Sequence, residues 1–134
     1  MADAFKFQYA TKIICTSHIP GTSQTSDAVL PGVYQTAVNI HNPGRRAVKI
    51  RKKIAVPGIV SDFFGEELGA DGATRFTCRQ IQDFGITFIH GAEGFLVIES
   101  TGSLDVVAVY TASPRGGEVS SIDVEHVPER KLGR

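Results

Sequence analysis

Glu93–Val127 reads EGFLVIES-TGS-LDVVAVYTA-SPRGGE-VSSIDVEHV, three strand-like runs separated by two turns. Successive side chains of a strand point to opposite faces, so a strand with one solvated side is polar at every second position. The first two runs break that rule. Phe95, Leu96, Val97 and Ile98 follow one another without a polar residue, and Leu104, Val106, Val107, Ala108, Val109 and Tyr110 are relieved only by Asp105. Both faces of these strands need cover, and a chain without evident helices has little to cover them with. A second copy of the chain is the simplest cover. Alternation then divides the residues: with Val97, Leu104, Val106 and Ala108 inward, Leu96, Ile98, Val107 and Val109 point toward a partner. The two sets exchange if the strands face the other way.

Outward from this stretch, turn residues punctuate the chain about every ten positions, the spacing of an all-β fold. Phe5–Thr16 reads as a first strand, with Phe5, Phe7 and Tyr9 on one face, continued by Ile13 and Cys15. A polar loop with Pro20 and Gly21 follows over 17–27. Val33–His41 alternates, Tyr34, Val38 and Ile40 against Gln35, Asn39 and His41. Asn42-Pro43-Gly44-Arg45 is a tight turn, since Pro presets φ and Gly accepts φ > 0. Arg46–Val56 then returns as its hairpin partner. Ser61–Gly69 reads as one helical turn capped by Ser61 or as a loop, Gly65 weakening the helix. Ala73–Gln80 is a strand carrying Phe76 and Cys78 on one face, and Phe84–Ile89 a short strand or irregular connection. Pro128–Arg134 is a basic, loose tail. The expectation is an all-β, Ig-like antiparallel β-sandwich of seven to eight short strands, with no long helix, in a single domain over residues 1–134.

Composition fits one globular domain: 134 residues, 42% hydrophobic and 21% charged. Fourteen basic residues balance fourteen acidic ones, so no global field draws the chain to nucleic acid or a membrane. No apolar run approaches the roughly 20 residues of a membrane helix. The N-terminus lacks the basic start and apolar stretch of a secretory signal, which points to a cytoplasmic protein. In that setting Cys15 and Cys78 read as small buried apolar side chains, although neighbouring strands would permit a bridge.

The segment YQTAVNIHNPGRRAVKIRKKIAV, with the later GFLVIES and LDVVAVYTA, resembles a family of short bacterial proteins of uncharacterised function. The layout is more distantly similar to the sensory rhodopsin transducer family, through a strand ending in an Asn-containing turn, its return strand, and a late IES…LDVVAVY pair. That resemblance implies a β-sandwich that assembles as a homo-oligomer, and no residue-level role.

Chemistry-bearing motifs are sparse. Alternation on Arg46–Val56 puts Val48, Ile50, Ile54 and Val56 inward and Lys49, Arg51 and Lys53 on the other face, a cation stripe able to grip phosphates or a carboxylated partner. The plainer reading is a solvated strand whose lysines discourage edge pairing. No aromatics interleave with the stripe, as a stacking platform would require, and Asp62, Glu66, Glu67 and Asp71 stand close enough in sequence to neutralise it. Cys15-Thr-Ser-His18 places two zinc-ligand types near each other, but Cys78 and the distant His90 do not complete a set. His41, His90 and His126 are each isolated, and Asp123 and Glu125 are ordinary surface carboxylates. No nucleophile elbow, phosphate loop or His-Glu-x-x-His motif occurs. The expectation is a non-enzymatic, self-associating interaction protein that uses no cofactor or metal and contacts at most other proteins. An oligomeric ligand-binding module gripping an anion through Lys49, Arg51 and Lys53 is the alternative.

Overall fold

The computed structural model describes residues 4–16, 28–88 and 91–133. Among these residues, ten strands and one short 3-10 helix build two antiparallel sheets over a common core. In chain order the strands are β1 Phe7–Cys15, β2 Val33–His41, β3 Val48–Val56, β4 Ile59–Val60, β5 Phe64–Leu68, β6 Ala73–Thr77, β7 Ala92–Ser100, β8 Asp105–Ser113, β9 Ser121–His126 and β10 Arg130–Lys131; the helix, Cys78–Phe84, lies between β6 and β7. Sheet I runs β10-β1-β7-β3-β4, with β5 also on β3; sheet II runs β6-β2-β8-β9. The all-β sandwich expected from the sequence is the observed fold, and no helix among the described residues is long and apolar enough to cross a membrane.

Alternation places the core. Tyr9, Ile13 and Cys15 of β1, Ile50 and Ile54 of β3, and Leu96 and Ile98 of β7 face Val38 and Ile40 of β2, Phe76 of β6, and Val106 and Ala108 of β8. Ile81 of the helix joins them. One side of the sandwich is closed by a threonine: the Thr36 hydroxyl accepts from Ile14 N–H at 2.9 Å and donates to Ile14 C=O at 2.8 Å, stitching β2 to β1 across the sheets.

Several connections differ from the sequence reading. β2 and β3 do not form a hairpin: they belong to different sheets, and the Asn42–Arg45 turn carries the chain between them. Asn42 builds this corner. Its buried amide donates to the carbonyls of Arg46, Leu68 and Gly69 at 2.8–3.2 Å, and its Oδ1 accepts from Gly44 N–H at 2.9 Å. The same side chain therefore fixes the neighbouring crossing from β5 to β6. Likewise β7 and β8 lie in separate sheets, so Thr101–Ser103 is a crossing, whereas β8 and β9 do form a hairpin.

Ser61–Gly69, read as a helical turn or loop, contains strand β5, paired with β3 from Val48↔Leu68 to Lys52↔Phe64. Cys78, expected inside a strand running to Gln80, opens the helix instead, and after Phe84 the described residues 85–88 form an irregular connection, the second of the two readings of Phe84–Ile89. The tail expected to be loose is pinned, Phe7↔Lys131 and Gln8↔Arg130. The polar loop over 17–27, together with His18 and His90, lies outside the described residues.

Candidate interaction surfaces

The register decides which way each doubly apolar strand faces. On β7, Leu96 and Ile98 are in the core at 0% exposure, so neither faces a partner; the exchanged partition holds there. The outward set is Glu93, Phe95, Val97 and Glu99. On β8, Val106 and Ala108 face in and Val107 and Val109 face out. The two strands differ because they belong to opposite sheets, which alternation within one strand cannot reveal.

Val107 and Val109 do not stand alone. Val109 lies abreast of Ala37 on β2 and Val124 on β9, and Val107 abreast of Asn39 and His126. Val107, Val109, Ile122 and Val124 form an apolar field on the outer face of sheet II, bordered by Asn39 and His126, and Ile122 and Val124 are 64% and 58% exposed. The sequence reading missed these last two, although the alternation of Ile122, Val124 and His126 against Asp123 and Glu125 was legible. It needed only the β8–β9 pairing to place it.

The outer face of sheet I is covered by the chain itself. Arg51 donates through Nε and Nη2 to Glu99 Oε1 at 2.9 and 2.6 Å. Its guanidinium is held between the rings of Phe5 and Phe63, each centroid 4.2 Å away. Lys53 rests on the same Phe63 ring at 4.7 Å. Aromatics thus interleave with the cation stripe after all, contributed by segments before β1 and before β5. Glu99 also accepts from Gln8 at 2.8 Å, and Gln8 accepts from Arg130, so four strands share one polar chain across this face. Lys12 pairs with Glu93 and lies over Phe95. Of the stripe, Lys49 is exposed, Lys53 is stacked and Arg51 is neutralised by a buried carboxylate. Lys52, between them, points inward and is 8% exposed, its Nζ 3.2 Å from Glu66 Oε1.

Two further polar clusters fasten the fold. His41 has Nδ1 2.8 Å from Asp105 Oδ2 and Nε2 2.8 Å from Asp71 Oδ1. These hydrogen bonds, to Asp105 first and then Asp71, raise its pKa above the ordinary histidine value. Asp123, Glu125 and His126 take no part. Tyr9 donates to Glu129 at 2.7 Å and accepts from Leu104 N–H at 2.7 Å. Burial, then the bond to Glu129, pushes the phenol up to about 12, while bonds from Ser103 and Tyr9 hold the Glu129 carboxyl below its usual range.

Cys15 and Cys78 are joined in a disulfide, contrary to the reading as two separate buried thiols. Residues 63 apart in sequence meet because β1 ends where the helix begins, a neighbourhood set by the tertiary fold. Among the described residues no three His, Cys, Asp or Glu are grouped to hold a metal ion. A cleft of about 410 Å³ at one end of the sandwich is lined by Val56, Ile59, Ile86, Phe88 and Ala92, and its carboxylate, Glu93, is engaged by Lys12.

Two antiparallel sheets over one core, with a chain of charged and polar side chains tying the strands of sheet I together, define an all-β sandwich-like protein. Among solved structures the chain is similar to Thermotoga maritima 1070, known from a crystal structure, with 96% of each chain aligned at 12% identity and a TM-score of 0.57. This likeness shows the fold. No family model matches the chain, and comparison with curated proteins finds no match.

Proposed function

We propose that this protein is a non-enzymatic interaction protein that self-associates through the outer face of sheet II. The observation that carries the reading is the apolar field of Val107, Val109, Ile122 and Val124, which holds no charged side chain within it and leaves two large residues more than half exposed. Contiguous apolar surface of this kind is uncommon on proteins that remain monomeric, and a two-fold contact lets one patch serve both subunits.

Face-to-face packing is favoured over edge pairing. β9 ends sheet II, and its inward-facing residues are Asp123 and Glu125. Pairing two β9 edges with their faces aligned sets these acids against one another, a penalty at each opposed pair. Stacking two sheet II faces leaves them in water. The basic strand lends less to an anion-binding role, because Arg51 already has Glu99 as its partner.

Light scattering at low and high salt tests the reading. The expected result is a multiple of 14.4 kDa that does not change with salt. Val109→Glu and Ile122→Glu should each yield monomer with the parent's secondary structure. A parent protein that is monomeric at both salts overturns the reading, as do two variants that keep the parent's mass.

A further inference from the structure

We propose that the Cys15–Cys78 bond is a folding-coupled lock: it forms as the two sheets close, and afterwards it is not reduced unless the sandwich opens. Both half-cystines lie in the apolar core, at 0% and 2% exposure, beside Ile13, Phe76 and Ile81. Thr36 N–H donates to Cys78 Sγ at 3.2 Å, on the strand stitched to β1 through the Thr36 hydroxyl. The Cα atoms are 5.6 Å apart, ordinary disulfide spacing, so the bond requires no displacement of either element.

Reduction requires a thiolate to reach one of the sulfurs. In the closed sandwich that approach is filled by β2, the helix and the core, so opening comes first. The bond instead links the end of β1 in sheet I to the helix that follows β6 of sheet II, holding the two layers together at the side where they are already stitched. In formation, the two thiols pass two electrons and two protons to a small-molecule disulfide. That oxidant leaves as two thiols, and a mixed disulfide is the intermediate. An oxidant of this class must be present while the chain folds, the condition of an oxidising compartment and not of a reducing cytosol. Once formed, the bond persists where reductant is plentiful.

The test uses the purified native protein and dithiothreitol at a series of concentrations, with thiol release followed by alkylation and mass spectrometry. The expected rate reaches a plateau that is independent of dithiothreitol and matches the opening rate from hydrogen exchange of the core amides. A reduction rate faster than the opening measured by core-amide exchange allows overturns the proposal, since the sulfurs are then reached in the closed state. A second measurement removes the bond with Cys15→Ala and Cys78→Ala together. The melting temperature should fall by roughly 10 °C or more, or the chain should fail to fold. A double variant that melts with the parent overturns the lock, as does protein made in a reducing cytosol that carries two free thiols and melts with the oxidised form.

Discussion

A histidine with a carboxylate against each ring nitrogen satisfies both contacts only as the imidazolium, with an N–H donated to each side. His41 is in that position between Asp105 on β8 and Asp71 in the β5–β6 turn, with its side chain 37% exposed. The clamp ties three separate segments of chain, yet each member stands isolated in the sequence. Because the folded-state pKa is raised, the stabilisation from this clamp is complete below the unfolded value near 6.5 and fades as pH rises through the folded value. His41→Asn should therefore lower the melting temperature more at about pH 5.5 than at about pH 9. An equal loss at both pH values would mean that the ring matters for its shape and neutral hydrogen bonds, not for its charge. Lys52 makes a related point. Its inward position follows from the alternation that placed Val48, Ile50 and Ile54, and Glu66 on β5 then becomes its partner.

At the scale of elements, β7 and β3 of sheet I approach closely at Gly94. A Cβ on Gly94 would lie 2.4 Å from the Ala55 carbonyl oxygen and 2.9 Å from Val56 Cα, backbone atoms that cannot swing aside. Gly94→Ala should cost about 1–3 kcal/mol in urea unfolding and shift the β3–β7 ladder. Gly65→Ala on β5 has ordinary space, its nearest atom 3.8 Å away, and should lie within about 0.5 kcal/mol of the parent. If both variants unfold alike, the close approach is not a constraint. The strand β2, the turn after it and the turn after β8 were legible because alternation and turn chemistry are local. Pairing was not. Asn42-Pro43-Gly44 specifies where the chain reverses, but a reversal can return into the same sheet or cross to the other. What decides it here is the Asn42 amide reaching Leu68 and Gly69, more than twenty residues away. The direction of β7, the clamp of Phe5 and Phe63 on Arg51, and the Cys15–Cys78 bond are illegible for the same reason, since each depends on which strands become neighbours. Alternation grouped Val107 with Val109 and Leu96 with Ile98, while the face each pair takes needed the sheet assignment.

For the whole molecule, the two sheets differ in how their free surfaces are managed. Sheet I covers its outer face with its own aromatic and charged side chains and closes the Phe7–Gln8 end of its β1 edge with the tail strand β10. Sheet II leaves an apolar face open and an edge strand, β9, exposed along its length. Val127 N–H donates to Val106, so two-residue alternation turns the N–H and C=O groups of Ile122, Val124 and His126 to the open edge. A strand so placed is a template for further pairing, and inward-facing charge is one of the devices that suppress it. Asp123 and Glu125 are in that position, as Glu66 is on the β5 edge. If they guard the edge, Asp123→Thr with Glu125→Thr should convert a closed assembly into an open-ended one. A face contact and an edge contact on the same subunit then permit continued addition. Light scattering should show mass rising with protein concentration beyond that of the parent, and the outward amides of Ile122 and Val124 should become protected from hydrogen exchange. A variant with the parent's mass and unprotected amides at these two positions would show that the acids do not hold the edge apart. The barrier would then lie in the twist or shortness of β9 itself.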